Sequence, residues 1–490
     1  MADQKKSRET LPASMSRRRF LAGGTAIASG LLLGSSATAE AIPPLGTGLH
    51  SGLVVTDLEV VTVTPYSVTF SWATYDGPHT TIGTLPDTVP ATTEVRMGEA
   101  SQGTDRLRRV YFDSRKKGYH HVTVHGLKPG TTYRFACYSD GKKAQPGLFA
   151  TNCPDQPEHT GVITTLVPPP GRHLVTVALL NDTHIGEDRH GLIVGDFPRA
   201  ITQAPGLPPF PEVMLAGAIK EIKARKIPAM FVNGDTTSEA RPAEVRRFRE
   251  LMDTFGKYRK DWWVTRGNHD RPHTPDADPS AGYENHAVLP GTKDHRDPWG
   301  EMFVPRQQMW TAHVGPLRVI GLDTAKLDTS DGELSDAQFD RLAQELSRHR
   351  HTPTLMMAHH PVTRESAVTN AAGPTFVLNT ADANRLQELM ADVPGIFMMH
   401  AGHTHRIKRT KPDAATQVDF VELGAAAGYP GGYTLLHLYS GGYMVNFHRT
   451  STPAALAWTS RSRWAAYGLN SEYLVGDAAH RNYVVRRKML

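Results

Sequence analysis

The chain has 490 residues, a formal net charge of +5 and two cysteines. That length suffices for more than one folded domain, while two cysteines exclude a disulfide framework. Six Lys or Arg against two acidic residues fall within positions 1–39, so the remainder carries only about +1 and shows no nucleic-acid footprint.

The N-terminus reads as an address. Ser16-Arg17-Arg18-Arg19-Phe20-Leu21 matches the twin-arginine export signal, an apolar stretch softened by Gly and Ala runs to about Leu33, and Ala37-Thr38-Ala39 follows as a cleavage site. The apolar stretch is too short and too Gly-rich for a stable membrane span, and no later run reaches the roughly 20 residues a span needs. Residues 1–39 are therefore expected to be a signal peptide read by the twin-arginine translocation machinery. The mature chain is expected outside the cytoplasm, whether secreted, periplasmic or on the cell wall.

From Thr56 to Leu166 the chain is rich in Thr and Val, with short alternating runs. Val68, Phe70 and Trp72 share one face and Tyr133, Phe135 and Cys137 another, which predicts a β-sandwich over 51–167. Leu127-Lys128-Pro129-Gly130-Thr131-Thr132-Tyr133 resembles the corner before a late strand of fibronectin type III domains, and the resemblance implies a bond from the Tyr133 hydroxyl back to the backbone. Such a sandwich can be a spacer, a wall of a substrate cleft or an adhesion module; the lack of an exposed aromatic stripe favours the first two. Cys137 points inward and Cys153 follows in a loop, so one bridge and two free thiols are both open. Pro168-Pro169-Pro170-Gly171 reads as a stiff linker.

Residues 172–450 alternate strand and helix signals. Apolar runs at Leu174 to Leu180, Ala229 to Val232, Trp262 to Val264, Val319 to Leu322, Leu355 to Ala358 and Ile396 to Met399 each feed a loop. Helical patterns lie between them at Val213 to Lys226, Pro242 to Phe255, Ser335 to Arg348 and Thr380 to Met390, with Ser335 and Gln338 as a capping box. Tyr433 to Tyr439, Gly441-Gly442 and Tyr443 to Phe447 predict a closing hairpin. Ile185 to Pro211 and Arg271 to Pro305 lack periodicity and read as walls or lids. Residues 451–490 form a tail, too aromatic for plain disorder and too irregular for a definite element.

The loops after the apolar runs carry chemistry. They hold Asp182-Thr183-His184, Gly234-Asp235, Gly267-Asn268-His269-Asp270, His359-His360-Pro361 and Gly402-His403-Thr404-His405. Asp182 and His184 are two apart, as are His403 and His405, so on extended backbone each pair would face one metal cluster. Asp235 closes an apolar run and can give one carboxylate oxygen to each of two cations, which makes it the candidate bridge. Asn268 and His269 should diverge, the amide oxygen toward metal and the imidazole over the open side.

In order, spacing and residue type these five pieces resemble the calcineurin-like metallophosphoesterases. The resemblance implies that Asp182, His184 and His405 hold one metal, that Asn268, His359 and His403 hold the second, and that Asp235 bridges. It implies an α/β fold, a four-layer β-sandwich catalytic domain with its site along one sheet edge, here preceded by the all-β fibronectin-like sandwich in a layout similar to purple acid phosphatases. Two divalent ions, two carboxylates and a bridging hydroxide leave about one net positive charge, which favours a phosphate ester, and the hydroxide is placed to attack phosphorus. His269 would protonate the leaving oxygen or stabilise its charge, with Asp270 as candidate orienting partner. Ser238 stands three after Asp235, where purple acid phosphatases carry the tyrosine that binds ferric iron, so their colour is not expected.

Nitrogen and oxygen ligands suit two divalent or mixed-valence ions of manganese, iron, zinc or cobalt. Arg271 and Arg406 are either bidentate donors to phosphate or solvated surface arginines; His360 is either a packed residue or a substrate contact; His400 fits a hydrogen-bonded core position. The expected function is an exported phosphoesterase acting on a small-molecule mono- or diester. The alternative is a surface-binding protein whose metal site is vestigial.

Overall fold

The computed structural model describes residues 52–77, 88–102, 107–147, 154–191, 200–271, 297–327, 329–468 and 471–490. The export signal, Cys153, and most of the stretch between Arg271 and Pro305, with His273 and His295, lie outside the described residues.

Two small sheets make up the N-terminal part. One contains β1 (Leu53–Val63), β2 (Ser67–Asp76) and β5 (Tyr119–His125). The other contains β3 (Ala91–Glu99), β4 (Arg108–Lys117), β6 (Thr132–Ser139), β7 (Lys142–Lys143) and β8 (Val162–Thr164). Alternation places Val68, Phe70 and Trp72 of β2 against Tyr133, Phe135 and Cys137 of β6 in one core. The Tyr133 hydroxyl accepts from the Lys128 backbone N–H at 3.0 Å, which ties the corner to the strand.

The larger part is α/β and holds two six-stranded sheets. The first runs in the spatial order β13 (Trp262–Thr265), β12 (Met230–Asn233), β9 (His173–Leu180), β20 (Gly432–Tyr439), β21 (Gly442–Arg449) and β22 (Asn482–Arg486). The second runs β14 (Trp310–Val314), β15 (Leu317–Leu322), β16 (Thr354–Ala358), β17 (Ile396–Ala401), β19 (Asp419–Glu422) and β18 (Lys408–Thr410). A short ladder, β10 (Arg189–His190) with β11 (Ile201–Thr202), stands apart.

Period-two patterning decides what covers each face. In β15, Leu317 and Val319 enter the core shared by both sheets, whereas Ile320 and Leu322 enter a second core under helices. Helices α1 (Phe210–Ala224) and α2 (Pro242–Asp253) pack on the first sheet, and α3 (Asp336–Arg348) and α4 (Thr380–Ala391) on the second, completing four layers. The Ser335 hydroxyl caps α3 by accepting from the Gln338 N–H at 3.3 Å, but the reciprocal half of the expected capping box is missing. The Gln338 amide instead bonds both backbone groups of Asp323, because it is buried against that turn.

Residues 451–490 are more structured than their pattern suggested. Helix α5 (Pro453–Ser462) packs on α1, and β22 pairs with β21 as an edge strand. The N-terminal sandwich meets β21 and β22 through backbone-directed bonds: Thr62 Oγ1 to the Phe447 carbonyl (2.6 Å), Asn446 Nδ2 to Val63 (2.6 Å) and Asn482 Nδ2 to Val61 (3.0 Å). Among the described residues no helix is long and apolar enough to cross a membrane.

Candidate active site

β9, β12, β13, β16 and β17 all end at one edge of the two sheets, and the loops leaving them carry every residue of the expected ligand set. The backbone there is not extended. Asp182, His184, Asp235, His403 and His405 have φ of 53°, 44°, 45°, 68° and 57°. Left-handed residues, not strand alternation, therefore bring each i, i+2 pair to one side. The conformation costs on the order of 1–3 kcal/mol per residue and persists only where surroundings enforce it. Here they do: Asp182 N–H donates to the Gly234 carbonyl (3.0 Å), His184 N–H to Asp235 (2.9 Å) and Gly402 N–H to His359 (3.0 Å). Gly234 and Gly267 permit this approach, since a Cβ at the first would meet the His359 ring and at the second the Asp235 backbone.

Donor atoms converge in three overlapping groups: Asp182, His184 and His405; His184, Asp235 and His269; Asp235, His359 and His403, each within 4.8 Å. His359 Nε2 lies 3.2 Å from Asp235 Oδ2 and 3.2 Å from Asn268 Oδ1. His405 Nε2 lies 3.6 Å from Asp182 Oδ1 and 3.1 Å from His184 Nε2. Ligands about 2.0–2.2 Å from one tetrahedral cation stand roughly 3–3.5 Å apart, so these spacings are close to edges of a coordination polyhedron. Asp235 belongs to two of the groups, as a bridge requires. The His405 side chain is 32% exposed and His269 half-buried, whereas the other donors are buried; the opening lies beside these two.

Electrostatics favour cations. Burial pushes the Asp182 carboxyl up; burial acts the same way on Asp235, but the imidazoles of His359 and His269 outweigh it and hold Asp235 down. His359, despite the cost of burial, is pushed up to about 9 by Asp235 and Asp182. Burial, then the neighbouring His360 and His359, holds His403 well below the usual range, and its Nε2 is buried without a hydrogen-bond partner. A neutral imidazole with a buried nitrogen free of hydrogen bonds, beside a carboxylate, suits a cation ligand. The donor set is nitrogen and oxygen throughout, so the residues fit first-row divalent cations.

Several supporting residues were not singled out from sequence. The Asn233 carbonyl receives His359 Nδ1 (2.9 Å), turning its Nε2 toward Asp235. Asn181 Nδ2 donates to Asp182 and to the Leu423 carbonyl, and its Oδ1 meets His400 Nε2 at 3.2 Å. Phe376 stacks on His403 with ring centroids 3.7 Å apart. Asn181 and Asn233 were visible as polar residues ending apolar runs; Phe376 had no such signal.

Other expectations need correction. Asp270 does not orient the His269 ring. Its carboxylate accepts from the N–H groups of Thr236, Thr237 and Gly267 and from both threonine hydroxyls, at 2.7–3.1 Å. The His269 ring is held by the Ser238 carbonyl at Nδ1 (2.7 Å), while its backbone N–H donates to Asp235 Oδ1 (2.8 Å). Arg406 is neither solvated nor aimed at phosphate: it is buried with both Glu422 oxygens at 2.7 and 2.8 Å. Arg271 is also buried, with its guanidinium on the Asn268 carbonyl. His360 is fully buried behind His403, with Nδ1 on Thr324 Oγ1 (2.8 Å), so packing and not substrate contact is its role.

Residues 175–407 match the calcineurin-like phosphoesterase family. A probable cyclic nucleotide phosphodiesterase from Synechococcus sp. is 26% identical over 196 residues, which is 39% of this chain and 63% of that protein. The chain thus spans less than two thirds of the curated relative it matches. A dimetal phosphatase from Danio rerio is similar at 13% identity and a TM-score of 0.41, covering 57% of this chain and 97% of that one. A purple acid phosphatase from yellow lupin seeds, at 13% identity and a TM-score of 0.40, covers 82% and 73%. With its seven convergent ligand candidates, residues 175–407 form a calcineurin-like phosphoesterase domain with a candidate dimetal site.

Proposed function

We propose that the protein is an exported phosphodiesterase that hydrolyses small phosphate esters at two cations. Asp182, His184 and His405 would hold one, Asn268, His359 and His403 the other, with Asp235 between them. The observation that carries this is the convergence of donors from five separate segments around Asp235, two of the three groups sharing that carboxylate. The cations, when bound, supply charge to neutralise the phosphate and a nucleophile from water. His269, fixed through Nδ1 by Ser238, presents Nε2 as the proton donor to the leaving oxygen at the open side.

A diester is favoured over a dianionic monoester. The second negative charge of a monoester calls for further positive donors, yet among the described residues Arg406 is neutralised by Glu422, the Arg271 guanidinium is engaged by the Asn268 carbonyl, and His360 is closed off behind His403. The phosphodiesterase name of the Synechococcus relative agrees with this reading. Export through residues 1–39 completes the proposal, with metal loaded before a folded chain crosses; Arg17→Lys with Arg18→Lys should retain the protein in the cytoplasm.

The test is elemental analysis of the purified chain together with hydrolysis of nitrophenyl phosphate and bis-nitrophenyl phosphate. Near two metal ions per chain with faster diester hydrolysis supports the proposal. One ion or none after reloading, or a preference for the monoester, defeats it.

A further inference from the structure

Strand β4 (Arg108–Lys117) closes one side of its sheet and carries both charge and apolar surface outward. Arg108, Arg109, Arg115, Lys116 and Lys117 are all exposed, and Asp113 is the one carboxylate of the strand. Neighbouring acids remove part of that charge. Glu94 sits with Arg96 and Arg109, Asp113 with Arg115 and Lys117, and Asp140 lies 3.5 Å from Lys116. Six cations against three carboxylates leave +3 on this edge, although the chain after residue 39 carries only about +1 in all. The charge is gathered here.

A bulge sets apolar side chains among the cations. Val95 pairs with Tyr111 but the next residue, Arg96, pairs with Arg109, so Val110 is an extra residue thrown outward. Tyr111 turns in against the sandwich core, whereas Phe112, opposite Glu94, stays outside. Val110 and Phe112 are 45% and 48% exposed, and the Arg109 guanidinium stands 4.8 Å above the Phe112 ring. Among the described residues, seven large apolar side chains are exposed, and only these two share a helix or strand.

Charge alone on an edge strand serves to block pairing with other strands. That role does not call for Phe112 and Val110, which would weaken it. A second copy of the chain would set cations against cations, and an acidic polymer would engage the cations while leaving the apolar pair in water. A bilayer with anionic headgroups meets both features: long Lys and Arg side chains reach the phosphates, and the apolar pair enters the boundary beneath them.

We propose that β4 docks the protein on an anionic lipid bilayer, with Val110 and Phe112 in the headgroup boundary and the flanking cations on lipid phosphates. Of the roles open to the sandwich, this selects adhesion. It is independent of the phosphodiesterase reading.

Sedimentation with vesicles tests it, using residues 40–490, because the arginines and apolar stretch before them would bind lipid by themselves. With roughly one third phosphatidylglycerol in phosphatidylcholine, partition should exceed that on pure phosphatidylcholine about tenfold or more, and most of it should be lost between about 0.1 and 0.5 M salt. Val110→Ser with Phe112→Ser, and Arg108→Ser with Lys116→Ser, should each lower partition on the anionic vesicles about tenfold. All four positions are exposed, so the unfolding midpoint should stay native. Absence of binding, or equal binding to both vesicle types, overturns the proposal. So does a serine pair at 110 and 112 that binds as the native protein does while the charge variant fails, since the strand would then be a site for acidic polymers and not for a bilayer.

Discussion

Two buried charge clusters in this molecule differ in what balances them. At the junction of sandwich and catalytic domain, Glu59 accepts from Arg449 (2.7 Å), Arg463 (3.2 Å) and Tyr429 (2.7 Å), and Asp57 meets Arg463 at 3.0 Å. Every carboxylate there faces a permanent cation. At the sheet edge, Asp182 and Asp235 are equally buried but face imidazoles, and His403 keeps a nitrogen without a partner. The comparison teaches how to separate structure from function among buried charges. A cluster whose carboxylates meet arginines carries its counter-charge permanently, whereas one whose carboxylates meet imidazoles offers nitrogen and oxygen donors to cations.

The strongest way to break the contrast is to remove the charge both candidate cations would share. Asp235→Asn keeps shape and should lower turnover on the order of 10³-fold or more, with loss of bound metal and retention of fold. A binding protein with a vestigial site would be indifferent, so unchanged function with metal absent in both forms would sink the enzymatic reading.

The junction should respond in stability instead. Glu59→Ala leaves the buried Arg449 guanidinium without its carboxylate and Arg463 with Asp57 alone, and should cost about 3–5 kcal/mol in denaturant unfolding while sparing metal content. The pH dependence has a definite sign. Although burial alone would raise it, Arg449 and Arg463 hold Glu59 down at about 2 from an ordinary 4.5. Its contribution is therefore complete above pH 4.5 and is lost as pH falls toward 2. In Glu59→Gln the loss of stability across that window should be shallower; an identical acid profile would show that the junction does not govern it.

The two clusters were unequally legible. The ligand candidates stood out because each ends an apolar strand run, and a strand run is read from a few consecutive residues. The junction was invisible because Glu59 lies 370 or more residues before Tyr429, Arg449 and Arg463 and no local pattern joins them. The partner of Arg406 was hidden as well, since Glu422 closes strand β19, 16 residues on, and strand pairing rather than a local pattern brings it back. Chain adjacency misled at Asp270: residues 268–270 form a 3₁₀ turn, which sends the Asp270 carboxylate back to the Thr236 turn and the His269 ring outward. The irregular pattern after Arg449 reflects short helices separated by left-handed Ala466 and Tyr467, which no period describes.

At His269 the effect depends on the substrate. His269→Ala should lower turnover about 10²-fold for an ester with a poor leaving group and far less for nitrophenyl esters, whose leaving oxygen needs no proton. Equal losses on both would remove the general-acid role and leave His269 as a contact only.

The smallest effect sharpens the comparison most, because Asp270 is buried beside the metal site yet is satisfied as the junction is. Its two oxygens accept from three N–H groups and two hydroxyls. In Asp270→Asn one oxygen becomes an amide NH₂ directed at backbone donors, so the turns bearing Asp235 and Asn268 should loosen. Metal affinity should fall about 10- to 100-fold, the range for groups that orient ligands. Because Ser238 holds the His269 ring, the dependence on leaving group should stay that of the native protein once saturating metal is restored. If Asp270→Asn reproduced the leaving-group sensitivity of His269→Ala, the carboxylate would be acting on the proton donor, and its bonds to Thr236 and Thr237 would be incidental to its role.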